Sequence, residues 1–381
     1  MAQAESRFGV RARVVGHALA LRLVRGPRRR PGEVRRALVA HHLLAGDTLM
    51  LTPLLAKLRA VYPAAKIAMT VRRALAPLYA GRPYGVDVLP FDPRDTGALR
   101  ELLEAGNGFD LAVVPGDNRY SWLAAALDSA WVVAFAGDRP AAKSWMVDEL
   151  VPFPESPMAW SDMNLRLVPG SFAEKYNPAD WPSPPYAPFD RPVLSNSGRY
   201  AVLHVEASSA LRRWDNAKWL ALATRLAERG ITPVWSSGPA GKRIVDEIDG
   251  ERRFQALGHK LDLAQLWHLV AGAALLVCVD TSIAHLAKLT WTPTVALYGP
   301  SSDVLFGRGR FWSEAPFREV TVADFPCRDQ RTLFKRHVEW VRRCQRAMGR
   351  AAAECADPRC MHALELDGVL AAASELGVPL Q

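Results

Sequence analysis

Residues 274–300 read ALLVCVDTSIAHLAKLTWTPTVALYGP, and the fold follows from this stretch. The apolar run Ala274–Val279 reads as a buried strand that ends at Asp280. Thr281 and Ser282 then open a short helix with His285 one turn further on, and a second apolar strand, Thr294–Tyr298, follows directly. Strand, helix and strand in that order make the repeating unit of a parallel α/β sheet. Such sheets bind ligands at the turn on the carboxyl end of the first strand. Unsatisfied N–H groups and the helix dipole favour a phosphate at that turn. Thr281 and Ser282 fit either an ordinary helix cap or hydrogen-bond donors to a diphosphate, and the pattern leaves both open.

A second informative stretch lies far upstream, where residues 38–63 read LVAHHLLAGDTLMLTPLLAKLRAVYP. Its apolar segment ends at Ala45-Gly46-Asp47, after which Leu51, Leu54, Leu55 and Leu58 recur at helical spacing. Gly46 permits a tight turn and close backbone approach. Asp47 falls at the helix start, with Thr48 beside it and Thr52 a turn later. A carboxylate there serves as a cap or as a general base facing a site above the sheet, and one residue can fill both roles.

Apolar strands alternate with amphipathic helices along the chain, which predicts an α/β protein. The expected strands are Leu38–Leu43, Lys66–Thr70, Asp110–Pro115, Trp131–Phe135, Tyr200–His204, Thr232–Trp235, Leu275–Val279 and Thr294–Tyr298. Helical spacing is clearest at Trp219–Leu226 and Leu263–Val270. The 381 residues suit two domains, with a linker among the six prolines between Pro178 and Pro192. The expected division is a basic extension 1–36, a first Rossmann-like domain 37–190, a second 191–325, and a helical tail 326–381 rich in Cys and Arg.

The two stretches together resemble the bacterial heptosyltransferase family, glycosyltransferase family 9, whose members transfer heptose from a nucleotide diphosphate to the lipopolysaccharide inner core. Gly46, Asp47, Leu49, Thr52, Pro53, Leu55, Leu58, Arg59, Tyr62 and Pro63 match the first family pattern. Asp280, Thr281, His285, Leu286, Ala287, Pro293 and Val295 through Pro300 match the second. A weaker third element is seen in His204, Ala207 and Ser208 followed by Arg212-Arg213-Trp214. The resemblance covers roughly residues 37–370 and implies two Rossmann-like domains facing across a cleft, the GT-B type. It implies Asp47 as catalytic base, with Gly46, Thr48 and Thr52 on the acceptor side. It places Arg212 (Arg213 as alternate), Asp280, Thr281, Ser282, His285 and Gly238 around the nucleotide-sugar donor. One base and direct displacement imply inversion, and no Asp-x-Asp pair at a strand end suggests a metal, so no metal and no cofactor are expected.

Three departures from the family pattern bear on the donor. Ser282 stands where the family has glycine, and Arg212 replaces a lysine, a planar fork in place of a compact ammonium. In the segment Trp235–Lys242, which resembles the nucleotide turn, Gly241 or Lys242 stands where an acid normally holds the ribose. Glu247, Asp246 and Glu206 are the acids that could substitute, and the sequence does not choose among them. A transferase using another nucleotide sugar and a non-catalytic binding protein are the rival readings. An NAD-type oxidoreductase would need G-x-G-x-x-G after a strand, which neither Gly46 nor Gly238 belongs to.

Charge is concentrated at the start of the chain. Of the net +9, residues 1–36 carry +8 through ten arginines against Glu5 and Glu33. That arm reads as a solubilising extension or as a peripheral contact with an anionic bilayer, where each cation is worth about 1 kcal/mol. Phe8 is the one aromatic residue among the arginines and no reader motif accompanies them, which argues against nucleic acid. The longest apolar run, Leu269–Val279, is too short to span a membrane, and no signal-type h-region follows the start. The expected place is the cytoplasm, with a possible contact on the inner membrane; the expected partners are a nucleotide-diphosphate sugar and a lipid-linked anionic glycan. Cys278 reads as strand packing, and Cys327, Cys344, Cys355 and Cys360 as buried thiols, because their spacing lacks paired C-x-x-C. Arg328, Arg331, Lys335, Arg336, Arg342 and Arg343 read as a solvated helix face or as cations facing an acidic acceptor.

Overall fold

The structure is a computed structural model that describes residues 7–26, 28–104, 108–195, 197–238, 241–257, 260–322, 325–346 and 355–379. It divides into two compact units. The first holds the chain up to Glu174, with Asp180–Pro182 and Thr332–Glu339; the second holds Lys175–Ala179, Ser183–Arg331 and the chain from Trp340 onward.

In the first unit α1 (Arg7–Arg25) precedes β1 (Arg36–Val39), α2 (Ala45–Leu49), α3 (Thr52–Val61), β2 (Lys66–Val71), β3 (Val86–Pro90) and α4 (Thr96–Glu104). Then come β4 (Phe109–Val114), α5 (Tyr120–Ala126), β5 (Ser129–Phe135), β6 (Glu149–Val151) and α6 (Trp160–Met163). The six strands form one parallel sheet in the order β3-β2-β1-β4-β5-β6. Leu38 sits opposite Ala68 on one side and Ala112 on the other; Leu38 and Ala112 belong to one hydrophobic cluster, and Ala68 packs against it.

The second unit repeats that plan. It runs β7 (Tyr200–His204), α7 (Asn216–Glu228), β8 (Thr232–Ser236), α8 (Lys242–Ile248), β9 (Gln255–Ala256), α9 (Leu263–Ala271), β10 (Leu275–Val279), α10 (Ser282–Thr290), β11 (Thr294–Tyr298), α11 (Asp303–Phe306) and β12 (Phe317–Thr321). The order β12-β11-β10-β7-β8-β9 is again parallel throughout. Both sheets are therefore doubly wound, each with its switch point between the first and fourth strands, β1/β4 and β7/β10. Every residue of β7, β10 and β11 is buried, as expected for a parallel sheet covered by helices on both faces.

All eight expected strands are present, and they are the four inner strands of each sheet. The four not expected, β3, β6, β9 and β12, are the sheet edges. Their burial is partial and mixed, so no continuous apolar run marks them.

The ends of the chain are more structured than the sequence suggests. α1 packs Val10, Val14 and Ala18, a stripe at four-residue spacing, against α4 and α5. Burial of each valine contributes about 1.5–3 kcal/mol. Asp148 ties down the far end of α1, accepting from Arg22 Nη1 at 3.1 Å and Arg28 Nη1 at 2.9 Å. The segment expected to be a helical tail begins with a hairpin, β13 (Thr332–Leu333) and β14 (Arg336–His337), and ends with α12 (Arg359–His362) and α13 (Leu366–Glu375). Cys360, Met361, Leu364, Val369 and Ala373 complete the core of the second unit. The tail cations are not a solvated helix face. Arg336 is 3% exposed and donates to the carbonyls of Gly116 and Ala136, each at 2.7 Å, while Arg343 is buried and Arg328 holds Gly299 O at 2.9 Å.

Candidate active site

The residues expected on the donor side gather at the switch point of the second unit. Asp280 ends β10 and is 6% exposed. Arg212, on a turn after β7, reaches it with Nη1 3.3 Å from Asp280 Oδ2 and donates to Asp280 O at 3.2 Å. A buried carboxylate is costly unless paired, so this contact fixes both groups. Trp214 holds the arginine's turn in place: its ring is buried edge-on to Trp219, and its Nε1 donates to Leu364 O at 2.7 Å. Arg212 is thus the residue on Asp280, and the alternate Arg213 makes no such contact.

α10 begins beside this pair without a side-chain cap. Thr281 occupies the cap position in extended conformation, yet its hydroxyl is buried with no hydrogen-bond partner among the described residues. The same holds for Ser237 Oγ after β8, Ser301 Oγ after β11 and Glu206 Oε2 after β7. Buried polar atoms are normally satisfied, so four orphans at the carboxyl ends of neighbouring strands mark a ligand site. Ser282 is exposed at the first helical position, so its side chain does not close the turn.

Glu206 is also the acid beside the Gly238–Gly241 segment. A Cβ on Gly238 would stand 3.1 Å from its Oε2, and one on Gly241 would collide with the same atom. Asp246 and Glu247 lie on α8, where each already holds a cation: Asp246 pairs with Lys242, and Glu247 with Arg243. Pro239 and Ala240 of that turn lie outside the described residues.

His285 is 4% exposed on the inner side of α10. Burial first, then the Lys288 ammonium, pushes its pKa well below the usual histidine value. Its Nδ1 lies 3.4 Å from Lys288 Nζ and can only accept there, which leaves the proton on Nε2 as a donor. Lys288, which carries no signal in the sequence, is 1% exposed and bound to the Phe306 and Gly307 carbonyls, with its ammonium 4.8 Å from the Phe317 ring centroid. His204 is structural: it is buried, its Nδ1 is 3.0 Å from Ser236 Oγ, and burial lowers its pKa to about 4.

In the first unit Asp47 lies in the first turn of α2, half-buried, just beyond the carboxyl end of β1. Leu44 is the cap residue and no side chain caps the helix, so Asp47 is not a cap. Thr48 and Thr52 are fully buried, and their hydroxyls donate to Leu44 O at 2.9 Å and Leu49 O at 2.6 Å. These two brace the α2–α3 turn. Gly46 belongs to the same turn, its carbonyl accepting from Met50 N at 3.0 Å.

The four C-terminal cysteines, irregularly spaced in sequence, line one cavity of about 120 Å³ in the second unit. All are free thiols, and burial pushes Cys360 up to about 11. Among the described residues no three His, Cys, Asp or Glu side chains come together so as to hold a metal ion.

Solved structures share this double fold. A glycosyl transferase family 9 structure from Veillonella parvula aligns with a TM-score of 0.66 at 15% identity, covering 90% of this chain and 97% of that one. E. coli heptosyltransferase WaaC with ADP aligns at 0.59 and 18%, covering 71% and 90%. The fold is therefore of the GT-B type. In sequence, residues 157–315 match the model of glycosyltransferase family 9 (heptosyltransferase). Lipopolysaccharide heptosyltransferase 3 of Escherichia coli is 26% identical over 321 residues, 75% of this chain and 89% of that one. Residues 157–315 are thus similar to a glycosyltransferase family 9 (heptosyltransferase) domain, and the chain over most of its length resembles a lipopolysaccharide heptosyltransferase.

Proposed function

We propose that the chain transfers a heptosyl group from ADP-heptose to a hydroxyl of the lipopolysaccharide inner core, inverting the anomeric carbon and using no divalent metal. The observation that carries the reading is the donor turn: Arg212 locked on Asp280 beside the unsatisfied Thr281 hydroxyl and the uncapped start of α10. The relative is named for heptose transfer to lipopolysaccharide, and the WaaC structure holds ADP.

Asp47 takes the proton of the acceptor hydroxyl as its oxygen attacks the anomeric carbon. The bond to the diphosphate oxygen breaks, and its electron pair leaves with ADP. Arg212 and the first N–H groups of α10 stabilise the charge gained by the diphosphate. Glu206 accepts from the ribose hydroxyls, and His285, neutral with Nε2–H as donor, binds a sugar or phosphate oxygen. A single displacement needs only one carboxylate near the reacting carbon, unlike the paired carboxylates of a retaining enzyme. Peripheral contact with the inner membrane belongs to the same reading: Leu23 and Val24 on α1 are 85% and 84% exposed. No helix among the described residues is long and apolar enough to cross a membrane.

The test is calorimetric titration with ADP, UDP and GDP, followed by transfer from ADP-heptose to core acceptors with and without EDTA. Selective ADP binding and EDTA-resistant transfer are expected. Selectivity for another nucleotide would refute the donor, and activity lost to EDTA and restored by a divalent cation would refute metal independence.

A further inference from the structure

α10 carries a lysine where the core suits an apolar side chain. Ile283, Ala284, Leu286, Ala287 and Leu289 of the same helix are all buried, and Lys288 is buried with them. A buried ammonium is costly unless acceptors hold it. Met or Leu would fill the same space without that cost, so packing alone does not account for Lys288.

The loop after β11 receives the ammonium. Lys288 Nζ donates to Phe306 O at 3.0 Å and to Gly307 O. Both carbonyls are placed by contacts in which Lys288 has no part. Phe306 O also accepts from the Tyr298 hydroxyl at 3.0 Å, and Ser302 Oγ caps α11 by accepting from Leu305 N at 3.3 Å. Gly307 N donates to Asp303 O at 2.7 Å. A Cβ on Gly307 would collide with that carbonyl and with Glu319 Oε1, so only glycine fits this close approach. Glu319 is fixed in turn, its Oε1 accepting from Arg308 N at 2.8 Å. The Trp312 and Phe317 rings complete the cage, with centroids 5.4 and 4.8 Å from Nζ, and such ring faces favour a cation.

His285 lies three residues earlier on the same helix face, with Nδ1 3.4 Å from Nζ. An ammonium has no lone pair, so Nδ1 accepts and the ring proton stays on Nε2. Because the two carbonyls are placed independently, Nζ is fixed, and the imidazole cannot flip without losing its contact with the cation. The arrangement reaches beyond one tautomer. The loop that anchors Nζ also carries Ser301, and α10 starts at Thr281; both hydroxyls are buried without a hydrogen-bond partner among the described residues. Lys288 thus sets the imidazole in register with the polar groups left open at the strand ends.

We propose that Lys288 is a positioning residue for heptosyl transfer: anchored on the Phe306 and Gly307 carbonyls, it holds the His285 ring so that Nε2–H is the hydrogen-bond donor to the nucleotide sugar. Lys288 touches no substrate and acts through His285. The use of that donor rests on the transferase reading; the lysine–histidine pair does not.

Two measurements test the pair and its use. The first is a two-bond proton–nitrogen correlation spectrum of the isotope-labelled full chain at pH 7, with the His285 signals assigned by their absence in His285→Gln. A protonated Nε2 and an unprotonated Nδ1 are expected, and a proton on Nδ1 overturns the proposal. The second is a double-mutant cycle on kcat/KM for transfer from ADP-heptose, built from Lys288→Met and His285→Gln. Lys288→Met should lower kcat/KM about tenfold or more, because a binding group misplaced by about 1 Å can cost about 10²-fold. In the His285→Gln background the same substitution should cost less than about twofold. An equal cost in both backgrounds overturns the proposal, since Lys288 would then act on the fold and not through His285. Unchanged kcat/KM in Lys288→Met overturns it as well. Lys288→Gln serves the same cycle if Lys288→Met does not fold. If the spectrum is as expected while the wild-type chain transfers no heptose, the pair stands and the transferase reading fails.

Discussion

At the scale of single residues, the proposed donor turn depends on paired and unpaired polar groups rather than on its fold. Arg212 satisfies Asp280, and Thr281 is left unsatisfied. Replacing Arg212 by Met removes a charge-assisted bond to the diphosphate, worth about 1.5–3 kcal/mol, so ADP affinity should fall about tenfold or more in calorimetry. It also strands Asp280 as a buried charge, and the melting temperature should drop with it. Unchanged ADP affinity in a folded variant would remove Arg212 from the donor site. Asp47→Asn tests the other side of the reaction. Positioned base catalysis supplies about 10²–10⁴-fold, so turnover should fall by that range while ADP binding is kept. Full turnover in this variant would mean that the base lies elsewhere. The place of Asp47 in the first turn of α2 was legible because a carboxylate at a helix start after an apolar strand is a pattern. Thr48 and Thr52 were not legible as structural, because a hydroxyl's direction depends on which backbone carbonyl is within reach.

At the scale of elements, α1 has two faces. Val10, Val14 and Ala18 bind it to the first unit, while Leu19, Leu23 and Val24 stay exposed at its other end, with Arg29 and Arg30 close by in sequence. Apolar residues left exposed near cations suit an anionic bilayer surface. Flotation with vesicles containing anionic lipid should recover the wild-type chain. The double variant Leu23→Glu, Val24→Glu should lose most of that recovery, with transfer to a soluble acceptor unchanged. Equal recovery of both proteins would exclude α1 as the contact. In sequence this helix is an imperfect wheel, because the arginines blur the period that packing makes plain. Edge strands β3, β6, β9 and β12 were illegible for a related reason. A strand buried on both faces is forced to be apolar throughout, whereas an edge strand is not.

At the scale of the whole molecule, several buried neutral histidines make the fold sensitive to acid. His41 is lowered to about 3 and His204 to about 4, chiefly by burial, and His285 falls well below its usual value. Each is neutral when folded and titrates near 6.5 when unfolded. Between pH 6.5 and about 4 the unfolded chain therefore binds more protons, and stability falls as pH falls. The three together amount to about 4 kcal/mol per pH unit in that window, an upper bound. Melts at pH 7, 6 and 5 should show a steep loss below pH 6.5, and a flat profile would contradict neutral burial. Substituting His204 by Gln should flatten the slope without altering ADP affinity.

The sequence by itself determined the two doubly wound sheets, the places of Asp47, Asp280 and His285 beyond strand ends, and the resemblance to glycosyltransferase family 9. Those features depend on local period and on residues close together in the chain, where an apolar run, a turn and a helix start are read directly. Only the tertiary structure decided that Glu206 is the acid over the Gly238–Gly241 turn, and that Lys288, held by the Phe306 and Gly307 carbonyls, sets the tautomer of His285. Each of these joins segments brought together by packing. A side chain's partner depends on the distances that folding creates, and no local pattern of residue types encodes those distances.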